Sequence, residues 1–474
     1  MLKPHAAQRG DKGGKVNEKI KKIVTAVLQA GGRAYLVGGA VRDMIYGVQP
    51  KDLDIEVYGL DAEALASILS TFGRVEAVGV SFGVLKLRTP EGEELDFTLP
   101  RRESKSGRGH KGFMVSVDPT MTPRDGASRR DFTINALMVD LSDGRILDFF
   151  GGVEDMKRGV LRHVSPAFSD DPLRVLRGVQ FAARFGLRID PETADLCRSL
   201  MGEYPTLSKE RVWGEWEKWA RKGVHPSHGL DVLVQTGWVE LYPALSNMIG
   251  VPQDPIHHPE GDVWTHTKLV CDRAAEIAAR DGVLGDDRVV LMLAALCHDM
   301  GKPEKTTCRD GRVVSPGHAQ AGVTIAAEFL RQIGAPAAVV ERVCVLVGEH
   351  MSYLNVAQLD QNAQARFVRR LAHRLGEGGE TIPMLLRLIE ADHRGRGEGA
   401  NALPAEIAVI SQVMEREALS APPEPILKGR HLIALGWRPG VELGRALKAA
   451  FQAQLDGAFN DLDGAIRWVK SWAD

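Results

Sequence analysis

Apolar and polar positions repeat with two different periods along this chain, and the change of period divides it. Residues 23–31 carry apolar positions at helical spacing and predict a short helix. A compact apolar run at 34–37 follows and is broken by Gly38-Gly39, which reads as a buried strand ending in a turn. Residues 62–71 return to helical spacing. Runs at 75–78, 83–89 and 93–99 alternate as strands do. Further strands are predicted entering at 129–136 and running to Val139, and at 146–150 before Gly151-Gly152. From about Ser169 the pattern is helical almost throughout. Asp170-Asp171-Pro172-Leu173-Arg174 is expected to open one helix, with normal capping chemistry. Ser208-Lys-Glu-Arg211 opens another, carrying Trp213, Trp216 and Trp219 as a stripe. That stripe is read as helix packing, with stacking on RNA as the alternative. Beyond Arg396 a Gly- and Ala-rich stretch reads as a linker. A last helical unit after Pro425 presents Leu443, Ala446 and Leu447 on one face.

Length and composition narrow this picture without changing it. The chain has 474 residues, and at ~150 residues per domain that suggests three domains or so. No run of about 18 apolar residues occurs, so no membrane span is expected. Residues 1–22 are basic without an apolar core, and read as a loose arm rather than a signal peptide. The five cysteines are scattered, which fits a reducing, cytoplasmic setting. The formal net charge is only −2, so any nucleic-acid contact must use local basic patches.

Two places carry candidate chemistry. In the first, Gly38-Gly39 lets backbone N–H groups approach an anion closely. Thirteen and fifteen residues after Gly39, Asp52 and Asp54 share one strand face while Leu53 and Ile55 turn to the core. Paired carboxylates repel unless a cation lies between them, and Mg²⁺ takes such oxygens together with phosphate. Asp96 becomes a third carboxylate if its strand pairs beside that of Asp52; otherwise it is an exposed acid on an edge. The basic, Gly-containing loop 101–113 suits a flap over a triphosphate or an RNA end. In the second place, His257, His258, His266, His298, His318 and His350 make up six of the chain's 14 histidines. His298 is followed by Asp299, and Asp392 comes later. A His-Asp pair with a His before and an Asp after supplies four metal ligands.

These motifs together resemble the class II tRNA nucleotidyltransferases, which include CCA-adding enzymes and bacterial poly(A) polymerases. The resemblance is carried by Gly38-Gly-Ala-Val-Arg-Asp43, Asp52-Leu-Asp54, Arg129-Arg-Asp-Phe-Thr-Ile-Asn-Ala136, Asp170-Asp-Pro-Leu-Arg174 and Arg184-Phe185. His266, His298-Asp299 and Asp392 resemble the HD metal-dependent phosphohydrolase domain, and Leu427-Lys-Gly-Arg-His-Leu432 is similar to the family's tRNA-binding tail. The resemblance implies an α+β chain: a nucleotidyltransferase head with a small mixed sheet (23–165), then a helical neck that reads the base (166–225), an HD body (226–400) and a helical tRNA-binding tail (401–474). It implies transfer of nucleotides from CTP and ATP to a tRNA 3′ end. Catalysis would fall to Asp52, Asp54 and Asp96, the first two holding Mg²⁺. Nucleotide binding would fall to Gly38, Gly39, Arg42, Arg130, Asp171, Arg174 and Arg177. At the HD centre, His266, His298, Asp299 and Asp392 would hold a divalent transition metal or Mg²⁺, with His318 and His350 on phosphate or a second metal. Two departures stand out: Asp170 and Asp96 occupy places where the family usually has Glu. The rival readings are a poly(A) polymerase, an enzyme adding only CC or only A, and an RNA-binding protein with dead sites. A long basic extension would favour the first, and residues 469–474 are not strongly basic. The presence of every expected ligand argues against the last.

Overall fold

The computed structural model describes residues 18–50, 53–77, 83–105, 113–397, 402–419 and 421–473. Asp52, residues 1–17 of the basic arm, residues 106–112 of the basic loop and residues 398–401 lie outside them. The chain divides into two compact units: Met1–Glu215 with His228–Trp238, and Trp216–Ser227 with Val239–Asp474.

The first unit opens on helix α1 (Glu18–Gln29), which buries Ile20, Ile23, Val24 and Val27. These positions follow i, i+3, i+4, i+7 spacing, so the helix starts earlier than the sequence reading placed it. Lys19, Lys21 and Lys22 mask Ile20 in the pattern, and residues 18–22 belong to the helix rather than to the arm. Strand β1 (Arg33–Val37), helix α2 (Gly39–Ile45), strand β2 (Asp54–Tyr58) and helix α3 (Ala62–Ser70) follow. Next come β3 (Arg74–Ala77), β4 (Val84–Arg88), β5 (Glu94–Thr98) and the hairpin β6 (Arg101–Lys105) with β7 (Phe113–Val117). The basic stretch from Arg101 is therefore strand at both described ends. After α4 (Pro123–Ser128) come the short strands β8 (Met138–Asp140) and β9 (Ile146–Leu147). Among the described residues the main sheet has the order β3-β4-β5-β2-β1-β8-β9. Only β2 and β5 pair in parallel, which makes the sheet mixed.

The alternation in β2 and β5 turns Ile55, Val57, Leu95 and Phe97 into one core with α1 and α3. It leaves Asp54 and Asp96 on the other face, directly opposite each other in the parallel register.

The Arg129–Ala136 stretch is not the entry to a strand. Thr133–Asn135 is one 3-10 turn, and the strand begins at Met138. Its polar side chains drive this by turning inward: Thr133 Oγ1 donates to Asp155 at 2.7 Å and Asn135 Nδ2 to Asp131 at 2.9 Å. Asp155 belongs to α5 (Gly152–Arg158), which leads to β10 (Val160–Leu161). The Asp170–Arg174 stretch also differs from expectation. A 3-10 turn covers Pro166–Asp170, Asp171 is extended, and α6 runs Arg174–Phe185. Strand β11 (Arg188–Ile189), α7 (Pro191–Ser199), α8 (Lys209–Lys222) and α9 (Pro226–Gln235) follow.

In the second unit Trp216 and Trp219 are buried, and Trp216 meets Tyr242 and Phe329 edge to face. Both are core residues, as the packing reading holds, and neither is available to stack on RNA. After α10 (Pro243–Ser246), the helices α11 (Val263–Arg280), α12 (Gly285–Cys297) and α13 (Lys302–Lys305) lead to the hairpin β12 (Thr307–Arg309) with β13 (Arg312–Val314). Then come α14 (His318–Gln332), α15 (Ala337–Glu349), α16 (Gln361–Glu377) and α17 (Ile382–Arg394). The expected linker is helical from Ala405 to Arg416 (α18), where Ile410 and Val413 are buried. Helices α19 (Gly429–Ala434), α20 (Val441–Leu455) and α21 (Leu462–Ala473) close a small core around Leu432, Ala446 and Val469.

Candidate active sites

A cleft of about 510 Å³ lies in the first unit, lined by Gly38, Gly39, Asp54 and five arginines, Arg42, Arg130, Arg174, Arg177 and Arg211. Three aspartates, Asp54, Asp131 and Asp171, face them, so the lining carries a positive excess suited to a polyphosphate. A smaller cavity of about 370 Å³ shares Asp54, Arg130 and Arg174 and extends to Thr98, Arg101 and Arg129. Asp54 thus lines two cavities. Asp96, opposite it in the sheet, lies 3.6 Å from Lys86 Nζ across β4.

Each cationic group is held by a partner. Gly38 has φ 67°, and a Cβ there would sit 3.0 Å from Arg130 Nη1, so a side chain is strained and crowded at once. Arg42 is only 4% exposed. It donates to Asp43 at 2.8 and 3.0 Å and to Asn135 Oδ1 at 2.5 Å, and its guanidinium lies over the Phe185 ring. Burial pulls its pKa below the ordinary value, with Asp43 opposing. An arginine stays protonated through such a shift. Arg177 Nη2 lies 2.6 Å from Asp131. Burial works against the Asp131 charge, yet Arg177, Asn135 and the Phe132 N–H together hold that carboxyl below its usual range. Arg130 donates to Glu56 at 3.0 Å.

Asp171 and Arg174 both line the cleft, but not as two positions on one helix face. Asp171 precedes α6, and its main-chain carbonyl accepts the Arg174 N–H at 3.0 Å. Its Oδ1 accepts the Leu173 N–H at 3.2 Å and its Oδ2 accepts from Arg211 Nη2 at 2.6 Å. Arg174 donates from Nη1 to Ala167 O and from Nη2 to Arg129 O, each at 2.8 Å. Asp170 ends the preceding 3-10 turn and does not line the cleft.

The second unit brings the histidine cluster together. His266 on α11, His298-Asp299 after α12, and Asp392 on α17 are all buried. His266 Nε2 lies 3.0 Å from Asp392 Oδ1 and 3.4 Å from His298 Nε2. His318 and His350 complete a second group with Asp299: His318 Nε2 is 3.3 Å from Asp299 Oδ1 and 3.2 Å from His350 Nε2. His257 remains outside these groups, 3.3 Å from Arg312.

The tautomers follow from the outer hydrogen bonds. Nδ1 of His298, His318 and His350 faces the carbonyls of Ala295, Ser315 and Val347 at 2.8, 2.7 and 2.7 Å. A carbonyl only accepts, so each Nδ1 carries a proton, and Nε2 is the nitrogen each ring can offer to a metal. Burial lowers the His318 pKa, and burial with His298 and His318 beside it brings His350 to about 3. Two bare nitrogens facing each other at 3.2 Å cannot hydrogen-bond. Two nitrogens bound to one ion at ~2.05 Å with tetrahedral angles lie about 3.3 Å apart, which is the spacing of both histidine pairs. The donor set therefore fits metal. Burial raises Asp299 and Asp392, but His298 and Lys302 around the first, and His266 around the second, outweigh it and hold both well below the usual carboxylate range.

One residue missing from the sequence reading is Glu260. Its Oε1 lies 2.6 Å from His266 Nδ1 and 2.9 Å from His258 Nδ1. The only sequence signal is its place six positions before His266 in a charged loop.

Comparison with known proteins matches a domain family in each of the two units. The family described as "Poly A polymerase head domain" matches residues 34–162, and "HD domain" matches 263–410. A multifunctional CCA protein of Xylella fastidiosa (strain M23) is 37% identical over 371 residues, spanning 77% of this chain and 84% of that protein. One from Xanthomonas oryzae pv. oryzae is 36% identical over 433 residues, spanning 90% and 98%. The fold is shared with the Bacillus stearothermophilus CCA-adding enzyme solved with CTP (TM-score 0.64, 21% identity, 96% of this chain and 97% of that one). It is also shared with the Thermotoga maritima CCA-adding enzyme complexed with tRNA (TM-score 0.58, 19% identity, 96% and 94%).

Proposed function

The chain belongs to the family of multifunctional CCA proteins, and from that membership we propose that it adds C, C and A to tRNA 3′ ends from CTP and ATP. The observation that carries this reading is the arginine-lined cleft that shares Asp54 with a second cavity, with Asp96 in register beside it. The chemistry joins the tRNA 3′-hydroxyl oxygen to the α-phosphorus. The bond to the β-phosphate bridging oxygen breaks, pyrophosphate leaves and the hydroxyl proton is released. Asp52, Asp54 and Asp96 offer the oxygen ligands that Mg²⁺ takes. Bound Mg²⁺ supplies charge neutralisation and a more acidic 3′-hydroxyl. The chain's own residues do the positioning: the Gly38-Gly39 backbone and Arg42 hold phosphate, and Arg130 and Arg177 add fixed positive charge held by Glu56 and Asp131. Purified protein incubated with tRNA lacking its 3′ end tests this. With CTP and ATP together the product gains CCA. A long A tract from ATP alone would indicate a poly(A) polymerase, and arrest after CC or acceptance of A alone would indicate a partial enzyme.

The histidine cluster supports a second activity, metal-dependent hydrolysis of phosphate esters at RNA ends, such as 2′,3′-cyclic phosphates. His266, His298, Asp299 and Asp392 would hold one ion. His318 and His350 would hold a second with Asp299, because their bare nitrogens face each other. The division of labour predicts that His298→Ala removes this hydrolysis and leaves CCA addition near the parent rate. Parallel loss of both activities in a folded variant would refute separate centres.

Glu260 would position His266. A carboxylate on the outer nitrogen of a metal-bound histidine fixes the ring and raises its basicity. Glu260→Gln is expected to weaken metal binding about 10- to 100-fold, measured against a competing chelator. The urea midpoint of the metal-free protein should stay unchanged, which separates this role from a merely structural one.

A further inference from the structure

The cavity over the histidine cluster is larger than a terminal phosphate requires. It measures about 840 Å³, within the range of about 300–1,000 Å³ that holds whole small-molecule ligands. Asp299, His318 and His350 line it. The hairpin β12–β13 lines it too, through Arg309 and Arg312.

These two arginines are directly opposite each other in the hairpin register. The connection is the two-residue Asp310-Gly311, with φ of 51° and 76°. A turn with both φ positive is the tight kind that matches strand twist and fixes register. The hairpin therefore presents two guanidinium groups at one level of the cavity wall. Like charges directly across an antiparallel pair are destabilising. Asp254 relieves only one of them, accepting from Arg312 Nε and Nη2 at 3.1 and 3.0 Å. Arg309 is exposed and makes no ion pair among the described residues. Leu354 also lines the cavity while 48% exposed, an apolar surface where a base can lie.

We propose that Arg309 and Arg312 bind the phosphodiester on the 5′ side of the nucleotide whose terminal phosphate reaches the histidine cluster. The site then selects a polynucleotide end over a free nucleoside phosphate. This rests on the phosphohydrolase reading above. In the hydrolysis, water oxygen bonds to phosphorus and one ring P–O bond breaks. The water proton ends on the leaving ribose oxygen, and a monoester remains. The hairpin takes no part in that step; it sets which ester arrives.

The test uses the full chain with the divalent metal that gives fastest turnover, and two small probes. They are adenosine 2′,3′-cyclic phosphate with and without a 5′-phosphate, which stands in for the phosphodiester. The parent should favour the 5′-phosphorylated probe about tenfold or more in kcat/KM, through KM, and less so as salt rises. Arg309→Ala should bring that ratio close to one, and Arg309→Lys should restore part of it. In the metal-free protein, with CTP added to fill the head cleft, calorimetric binding of adenosine 3′,5′-bisphosphate should weaken about tenfold in Arg309→Ala. Equal kcat/KM for the two probes in the parent, or an unchanged ratio in Arg309→Ala, overturns the proposal and leaves the phosphohydrolase reading intact. No hydrolysis of either probe with any divalent metal removes that reading, and the proposal with it.

Discussion

Asp54→Ala is expected to abolish nucleotide addition, by roughly a thousandfold or more, while the protein still folds. Asp54 begins β2 with its side chain exposed, so the substitution leaves Ile55 and Val57 in their core. What it removes is a carboxylate that lines both cavities of the head, at the place where an incoming triphosphate and an RNA end would meet. On the function proposed above, losing it would remove a ligand for Mg²⁺ and with it the charge neutralisation on which phosphoryl-type transfer depends. Asp52→Ala removes the other carboxylate of the Asp52-Leu-Asp54 motif and is expected to behave alike. Asp96 separates two readings. If it is a third ligand, Asp96→Ala slows addition strongly; if its partner is only Lys86, the loss is that of a surface ion pair and turnover hardly changes. Labelled CTP incorporation beside a urea midpoint measures all three variants. Turnover near the parent level in Asp52→Ala or Asp54→Ala would sink the assignment of Mg²⁺ to these carboxylates.

That Asp54 and Asp96 turn away from the core was legible, because strand alternation fixes which side chains share a face and the apolar residues choose the face; that their strands pair was left as a condition, and the parallel register supplies it. The histidine cluster was legible for a different reason. His298-Asp299, with His266 before it and Asp392 after it, resembles the HD motif, and that resemblance joins residues that 126 positions separate. What stayed illegible were the partners. Glu56 beside Arg130, Arg211 beside Asp171 and Glu260 beside His266 are ion pairs between distant or irregular segments. No periodicity encodes them. The α1 boundary was missed because three lysines surround Ile20 in a helix whose buried face is narrow. The Thr133–Asn135 turn was missed because side-chain bonds to Asp155 and Asp131 override what reads as strand. Asp171 was misplaced onto a helix for a similar reason: Pro172 and the Leu173 N–H bond to Oδ1 favour an extended residue before the first turn.

Base choice depends on that correction. Cytosine and adenine both offer an amino donor next to a ring-nitrogen acceptor, whereas uracil and guanine offer a carbonyl next to a ring N–H. A carboxylate accepts only and a guanidinium donates only. Asp171 and Arg174 reading the edge together would accept C and A and reject U and G without a nucleic-acid template. Both groups have other partners here, so capacity decides whether they can. A carboxylate has about four lone-pair sites, and Leu173 and Arg211 use one each. A guanidinium has five N–H donors, and Ala167 O and Arg129 O take one each. Acceptor and donor capacity therefore remain in the cleft. A wrong base would leave such groups unpaired at a cost on the order of several kcal/mol. Asp171→Ala with Arg174→Ala is expected to admit UTP and GTP while losing most use of CTP and ATP. Because Arg174 also ties two backbone carbonyls, Asp171→Asn serves as the second variant. Its Oδ1 can keep the Leu173 bond while an amide donor replaces the acceptor at Oδ2. Discrimination against UTP should fall in Asp171→Asn with the urea midpoint little changed. If the double variant folds, uses CTP and ATP fully and still excludes UTP and GTP, then Asp171 acts only as a cap before α6, Arg174 only as a backbone clamp, and base selection lies elsewhere in the cleft.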